Sequence, residues 1–220
     1  MSPQKIKTRR SRLHKLDRAL KKLFPKAGIE LKFKNRLELL VAVQLSAQCT
    51  DKMVNKITAA LFKKYKTVGD YARANPREFK KMIKSSGFYR AKTKNILGAA
   101  NMIKERFGGK VPGSMAELLQ LPGVARKTAN VVLAEGFGKV EGITVDTHVI
   151  RFVQRYDLSD YKDPVRIEKD LMQLLPKKEW RHFVHRVIHY GRYLAPARKY
   201  DTAQDPLVKV YPLAAKKFRV

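Results

Sequence analysis

The stretch that decides the fold reads Leu121-Pro122-Gly123-Val124-Ala125-Arg126-Lys127-Thr128-Ala129. Pro122-Gly123 predicts a tight reversal after one helix, and a second helix is predicted to begin near Arg126. The first backbone N–H groups of a helix lack partners within it, and the helix dipole adds positive potential there. Such a hairpin can hold one phosphate without reading base sequence. From the turn alone, an ordinary helix–turn–helix corner remains the alternative.

The composition of the whole chain excludes several classes of protein. Its 220 residues include 48 Lys+Arg against 19 Asp+Glu, a formal charge of +29, and 44% are hydrophobic. That apolar fraction predicts a packed core rather than a disordered polybasic chain. The single cysteine, Cys49, excludes a disulfide framework within the chain. No apolar run reaches the roughly 20 residues of a membrane helix. We expect an intracellular protein.

The charge favours nucleic acid as the partner, because each neutralised phosphate releases a counterion. An anionic membrane surface is the rival, and the basic segment 1–26 is its best candidate. The apolar positions of that segment fit a docking helix better than a membrane wedge. Its Arg-rich start also resembles an organelle transit peptide, which is the weaker interpretation. We predict no membrane association, a cytoplasmic location with the nucleoid, and a monomer.

Helical periodicity dominates the chain and predicts an all-α protein of about ten short helices. The predicted helices cover residues 11–24, 36–46, 51–65, 76–85, 90–107, 114–120, 126–137, 147–156, 164–175 and 179–194. Capping patterns begin at Asn75 and Ser114, and Gly87 and Gly108 are typical of helix ends. Prolines after residue 194 predict an irregular tail.

The hairpin and its continuation resemble a known family. The run LPGVARKTANVVLAEGFG at 121–138, followed by ITVDTH at 143–148, resembles the helix–hairpin–helix DNA glycosylases and, within them, the endonuclease III family. SAQCTD at 46–51 and GFYRAK at 87–92 resemble the same family. The resemblance implies a two-lobed fold with DNA in a cleft. One lobe is a helical barrel over 34–141, and residues 1–33 with 142–220 form the other.

Lys127 is the candidate nucleophile. At about 100° per residue, its side chain points away from the apolar stripe of Ala129, Val132 and Leu133. The helix dipole and the neighbouring Arg126 favour a neutral amine, which can form a Schiff base. The resemblance implies that Lys127 attacks C1′ of deoxyribose and that β-elimination then cuts the strand on the 3′ side. A solvated lysine is the ordinary alternative.

Asp146 is the second candidate catalytic residue. It precedes the helix predicted from Thr147, where an aspartate ordinarily serves as an N-cap. A fixed carboxylate can also stabilise the positive charge that develops on the sugar when the N-glycosidic bond breaks. The resemblance implies that second role, and capping is compatible with it.

Together these residues predict a bifunctional DNA glycosylase and AP lyase. The resemblance implies double-stranded DNA with an oxidised pyrimidine or an abasic site as its substrate. One alternative is a relative that excises alkylated purines or mismatched bases. The other is a hairpin protein that binds DNA without catalysis, against which the presence of both Lys127 and Asp146 argues.

Further residues are predicted to contact DNA. Gln48 is expected to fill the space that a flipped base leaves, or to be an ordinary loop residue. Phe88 is expected either to wedge between bases or to lie in the core. Ala125 stands where the family pattern has a second glycine, so it is strained if that position needs a positive φ. The remaining predicted contacts are Gly123, Arg126, Thr147, His148 and Lys199.

The tail departs from the family pattern. The endonuclease III family usually ends with cysteines spaced C-x6-C-x2-C-x5-C that bind a [4Fe–4S] cluster. Here the matching positions hold Ala195, Thr202, Asp205 and Tyr211. Alanine cannot ligate iron, and Cys49, expected to be a small buried residue, cannot replace four thiolates. We predict no iron–sulfur cluster and a tail held by packing.

Three histidines recur at helical spacing, which raises the question of a metal site. His182, His185 and His189 lie at i, i+3 and i+7 of one predicted helix. A zinc site is the sharper interpretation. We favour a solvated or DNA-facing basic face, and therefore predict no metal ligands.

Overall fold

The computed structural model describes residues 1–197 and 200–217, and its described elements are all helices. The all-α fold class is confirmed. The α-helices are α1 (Pro3–Leu23), α2 (Arg36–Leu45), α3 (Asp51–Lys64), α4 (Val68–Ala72), α5 (Pro76–Met82), α6 (Tyr89–Arg106), α7 (Met115–Leu118), α8 (Arg126–Gly136), α9 (Thr147–Arg155), α10 (Pro164–Leu174), α11 (Trp180–Tyr193) and α12 (Leu213–Lys217). Two 3-10 helices cover Lys84–Ser86 and Lys177–Glu179. None of the described helices has both the length and the apolarity to cross a membrane.

The predicted helix boundaries differ from the observed ones where local capping decides. Helix α1 begins at Pro3 rather than residue 11, because the Ser2 side chain accepts a hydrogen bond from the Lys5 N–H and proline fits the first position. Helix α4 was not predicted, because five residues are too few to show a period. A capping box between Thr67 and Asp70 stabilises it instead.

The chain divides into two compact units, Met1–Ile29 with Gly142–Val220, and Glu30–Glu141. In the unit of residues 30–141, α2 packs on α8 and α4 on α6. Helix α2 is buried almost throughout from Leu39 to Leu45, so it forms the centre of that core. The hairpin between α7 and α8 is therefore built on the most deeply buried part of its unit.

In the other unit, α1 packs against α10 and α11. Ion pairs reinforce this packing. Arg186 of α11 donates to Asp17 at 2.7 Å and to Glu179 at 3.0 Å. Hydrogen bonds from Arg9 and Lys5 of α1 lower the pKa of Asp160 to about 2. Helix α1 is thus a structural part of this unit, consistent with the interpretation as a docking helix.

Candidate nucleic-acid interface and catalytic residues

The hairpin turns at Gly123, whose φ of 75° lies in the left-handed region. A Cβ at this position would lie 2.7 Å from the Cβ of Asn95 in α6, so both conformation and space require glycine. Leu121 and Val124 are buried on either side of it. Ala125 has a φ of −94°, so the strain considered for a positive φ does not arise there. The turn is compatible with alanine at this position.

Lys127 lies in the first turn of α8 with an exposed side chain, and Arg126 beside it is exposed as well. Ala129, Val132 and Leu133 on the other side of the helix have no exposed surface. This is the orientation that the helical periodicity predicts. The N-cap residue is Ala125, which has no side-chain oxygen to accept from the first turn. The start of α8 therefore presents cationic side chains and helix-end N–H groups on one exposed surface.

Asp146 is the N-cap of α9, and its Oδ1 accepts a hydrogen bond of 2.9 Å from the Val149 N–H. The capping role is thus confirmed. The residue is half-buried, and the following Thr147 is exposed. The hydrogen bond from the Val149 N–H restrains the carboxylate at the N-terminal end of α9. A negative charge fixed in this way can stabilise positive charge that develops on a bound substrate.

Arg151 holds His148 and the end of α11 together within their unit. Its guanidinium lies 3.3 Å from His148 Nδ1 and donates to the carbonyl oxygens of Gly191 at 3.1 Å and Ala195 at 3.0 Å. Burial lowers the pKa of Arg151. A Cβ at Gly191 would collide with the His148 ring, so the glycine is needed for this close packing. His148 is consequently held in place rather than free to rotate.

Gln48 and Phe88 lie on one pocket together with Gly123 of the hairpin. Both residues adopt left-handed backbone conformations, with φ of 52° and 46°. Phe88 is 65% exposed, which excludes its placement in the core, and Gln48 is also exposed. The pocket has a volume of about 190 Å³. It is lined by Gln44, Ala47, Gln48, Phe88, Ala91, Lys92, Asn95 and Gly123.

Lys92 is a further residue of this pocket, and it was not predicted from the sequence. It is only 6% exposed, and its Nζ donates to the carbonyl oxygens of Leu45 at 2.8 Å and Ser86 at 2.7 Å. Burial lowers its pKa, while the nearby Cys49 opposes that shift. A pattern could have revealed it, because Lys92 continues the apolar stripe of Ile96 and Ile103 on α6.

Cys49 itself is half-buried, so the expectation of a buried residue is wrong. It follows Gln48 in a short loop between α2 and α3, and such a loop runs over the surface.

The tail is anchored by a buried carboxylate. Asp205 accepts hydrogen bonds from the hydroxyls of Tyr156, at 3.0 Å, and of Tyr190 and Tyr200. Its other oxygen accepts from the Leu207 N–H at 2.8 Å. Burial raises the pKa of Tyr200 to about 12. We call Asp205 with these three tyrosines the tyrosine cluster.

The residues at the four cysteine-equivalent positions do not fit an iron–sulfur cluster. Ala195 is fully buried and has no donor atom, and the Asp205 carboxylate already accepts from three phenols. The Arg12 guanidinium lies over the Tyr211 ring, with its Cζ atom 4.1 Å from the ring centre. Thiolates are the ligands such clusters need. The predicted DNA contact Lys199, with its neighbour Arg198, lies outside the described residues.

The three histidines do not form a uniform solvated face. His182 is exposed, but the His189 ring packs edge-on against Phe24 and Tyr193, and its Nε2 lies 3.2 Å from the Gly28 carbonyl oxygen. His189 is thus half-buried rather than fully solvated, because α11 turns this side toward the end of α1, and a DNA-facing role for the stripe stays a prediction. Within the described residues, no group of three His, Cys, Asp or Glu side chains could hold a metal ion.

Comparison with known proteins gives consistent matches. Residues 41–177 match the family model of the HhH-GPD superfamily base excision DNA repair protein. Endonuclease III of Synechocystis sp. is 47% identical over 211 residues, 96% of each chain. A non-covalent endonuclease III–DNA complex superimposes with a TM-score of 0.88 at 41% identity, covering 99% of this chain and 98% of that one. A trapped covalent endonuclease III–DNA intermediate gives 0.90 at 41% identity, covering 96% and 99%.

Proposed function

This chain belongs to the HhH-GPD superfamily of base excision DNA repair proteins, as an endonuclease III homologue, and from that premise we propose that Lys127 and Asp146 carry its chemistry. The protein is a base-excision DNA glycosylase with AP lyase activity, and DNA is its partner. The exposed Lys127 in the first turn of α8, directly after the Gly123 turn, is the observation that carries the proposal.

In the proposed reaction, the Lys127 amine attacks C1′ as a neutral nucleophile. A C–N bond forms, the glycosidic bond breaks, and the base leaves with the bonding electron pair and takes up a proton. The attached nitrogen then loses a proton, the C1′–O4′ bond breaks, and O4′ takes up that proton, which opens the sugar ring and leaves a protonated imine between Lys127 and C1′. The imine acidifies the C2′–H bond, so removal of that proton expels the 3′ phosphate by β-elimination. Water then hydrolyses the imine and regenerates the lysine.

Asp146 has a different role in the proposed reaction. Its carboxylate stabilises the positive charge on deoxyribose while the glycosidic bond breaks. The bond from the Val149 N–H fixes this carboxylate before the substrate arrives, so little reorganisation is needed during the reaction.

We propose oxidised or ring-saturated pyrimidines and abasic sites in duplex DNA as the substrates. Gln48 and Phe88 would fill the space left in the duplex when the damaged nucleotide is flipped out. Their exposed positions on one pocket support this proposal. Gly123, Ala125, Arg126, Thr147 and His148 are the further proposed DNA contacts among the described residues.

A panel of duplexes, each with one lesion, tests the substrate proposal. We expect excision and strand cleavage with oxidised pyrimidines and with abasic sites, and a covalent adduct when borohydride is added. Preferential excision of alkylated purines or of mismatched bases would contradict the proposed substrate class and favour the relative with that other base specificity. Binding without any cleavage would contradict the catalytic assignment as a whole.

We also propose that the protein acts as a monomer in the cytoplasm, associated with the nucleoid. The charge of +29 supports largely sequence-independent binding to DNA. Titration of undamaged duplex at several salt concentrations should give a steep linear fall of log K with log[salt]. A flat plot would contradict the electrostatic basis of this binding, and light scattering of the free and bound protein checks the monomer.

For the tail, we propose that the tyrosine cluster replaces the iron–sulfur cluster of the family as the anchor. Purified protein should be colourless, should contain no stoichiometric iron and should keep lyase activity in chelator. Asp205→Ala should make the tail more susceptible to limited proteolysis, because the hydroxyls of Tyr156, Tyr190 and Tyr200 lose this acceptor. A brown preparation, or activity lost on chelation, would overturn this proposal.

A further inference from the structure

We propose that Lys92 is a positioning residue for base excision, which holds the loops carrying Gln48 and Phe88 in the arrangement that fills the gap in the duplex. This inference rests on the proposed gap-filling role of those two residues. Lys92 does not touch DNA in this proposal. It acts through the backbone of the two loops.

The geometry places Lys92 between the two loops. Leu45 is the last residue of α2, and the loop with Gln48 follows it. Ser86 is the last residue of a 3-10 helix, and Gly87 and Phe88 follow it. The Lys92 ammonium accordingly bridges the residues from which both loops depart, at 2.8 Å and 2.7 Å. A single buried side chain thus fixes the distance between the two points of the backbone, Leu45 and Ser86, at which the loops begin.

The chemistry of lysine explains why this bridge is specific. The ammonium group has three donors and no acceptor, so it can satisfy two carbonyl oxygens at once. The carbonyl at the C-terminal end of a helix has no partner within the helix, and the dipole there favours a cation. In the described part of the chain, Lys92 forms no ion pair with an acidic side chain. The buried ammonium group of Lys92 is therefore stabilised by the backbone carbonyl groups of Leu45 and Ser86, where the two loops begin.

The loops need such a restraint because their tips are in costly conformations. Gln48 and Phe88 both have positive φ, which is unfavourable for residues with a Cβ. Without a common anchor, each loop could relax independently to a more favourable backbone. An apolar side chain at position 92 would leave two buried carbonyls without a donor, which favours that relaxation.

Lys92→Met separates this role from a general contribution to folding. The first readout is excision of a ring-saturated pyrimidine from duplex DNA, which requires gap filling. The second is borohydride trapping on a single-stranded oligonucleotide with an abasic site, where there is no opposite base and no gap. The third is the fluorescence of 2-aminopurine opposite the lesion, which rises when that base is unstacked. Lys94→Met is the matched control. Lys94 is exposed on the same helix, and its substitution removes the same charge.

We expect Lys92→Met to lower duplex excision about tenfold or more, to change single-strand trapping by less than about twofold, and to remove most of the 2-aminopurine signal. Lys94→Met should stay within about twofold of wild type in all three. In a Phe88→Ala background, Lys92→Met should lower duplex excision by a much smaller factor, because two substitutions that act through the same loop are not additive. Lys92→Gln, which keeps amide donors, serves the same comparison if Lys92→Met does not fold.

Equal losses in duplex excision and single-strand trapping would show a merely structural role and overturn the inference. Unchanged duplex excision, or full additivity with Phe88→Ala, would also overturn it. Failure of the proposed function looks different, because the wild-type protein itself would then neither excise the pyrimidine nor be trapped.

Discussion

Helices α8 and α9 begin in opposite ways, although both starts carry a proposed catalytic residue. At α9 the Asp146 side chain caps the helix and is itself the proposed catalytic group. At α8 the cap position is Ala125, and the proposed catalytic group is Lys127 in the first turn. One start is capped by its own carboxylate, whereas the other has no side-chain cap from Ala125 and is the proposed site of a DNA phosphate.

A helix start can therefore be tuned either to hold a charge or to attract one. A capping carboxylate gains rigidity from the N–H groups that it occupies. A start with an alanine cap leaves the positive end of the dipole for a phosphate. Substitutions at either helix start test these two roles separately.

Lys127→Gln is expected to have the largest effect. Glutamine has no nucleophilic amine, so the borohydride-trapped adduct with abasic DNA should disappear. The measurement is a denaturing gel of protein and labelled oligonucleotide. Lys104→Gln, at an exposed position of α6, removes the same charge and should leave the adduct intact. An undiminished adduct in Lys127→Gln would show that another amine is the nucleophile.

Asp146→Asn should lower single-turnover excision by about 100- to 1,000-fold, because asparagine keeps the cap but removes the charge. DNA affinity and melting temperature should change little. Asp146→Ala provides the contrast. It also removes the cap, so its free energy of unfolding should fall by about 1 kcal/mol. A near-normal rate for the asparagine variant would leave Asp146 with the capping role alone.

Gly123→Ala tests the turn that aims the α8 start. A positive φ and a Cβ 2.7 Å from Asn95 predict destabilisation of about 1–3 kcal/mol. For a chain of this size, that corresponds to roughly 2–4 °C in melting temperature for each kcal/mol. DNA affinity should fall as well, because the hairpin shifts. Thermal unfolding and DNA titration measure the two effects, and unchanged values in both would contradict the close packing of this turn.

Ala125→Ser makes the α8 start resemble that of α9 and has the smallest expected effect. The added hydroxyl can cap the helix, so stability should rise by about 1 kcal/mol. A phosphate must then displace that cap, so DNA affinity should fall about fivefold. Ala125→Gly lacks the oxygen and should keep wild-type affinity. If the serine variant gains stability with no loss of affinity, the phosphate does not use this helix end.

Local sequence patterns were sufficient for the parts of the fold that depend on neighbouring residues. The turn at Gly123, the outward direction of Lys127 and the cap at Asp146 follow from residues at most a few positions away. The exposure of Phe88 could not be decided this way, because a wedge and a core residue give the same local pattern.

Features that depend on distant contacts were not predictable from those patterns. The Lys92 bridge joins residues 47 apart, and its environment exists only after α2 and α6 have packed. The position of His189 depends on Gly28, 161 residues away. Short elements such as α12 were missed because five residues do not establish a period.

The tyrosine cluster has a consequence for the order of folding. Tyr156 and Asp205 are 49 residues apart, so their contact closes a long loop and can form only after α9 and α11 have assembled. We therefore expect the tail to dock late and to undock without unfolding those helices, as a separate cooperative unit. In native-state hydrogen exchange, the amides of Leu207 and Val210 should exchange through this partial opening, well before those of Phe183 and Val187. Docking of the tail thus completes a unit whose helices are already folded.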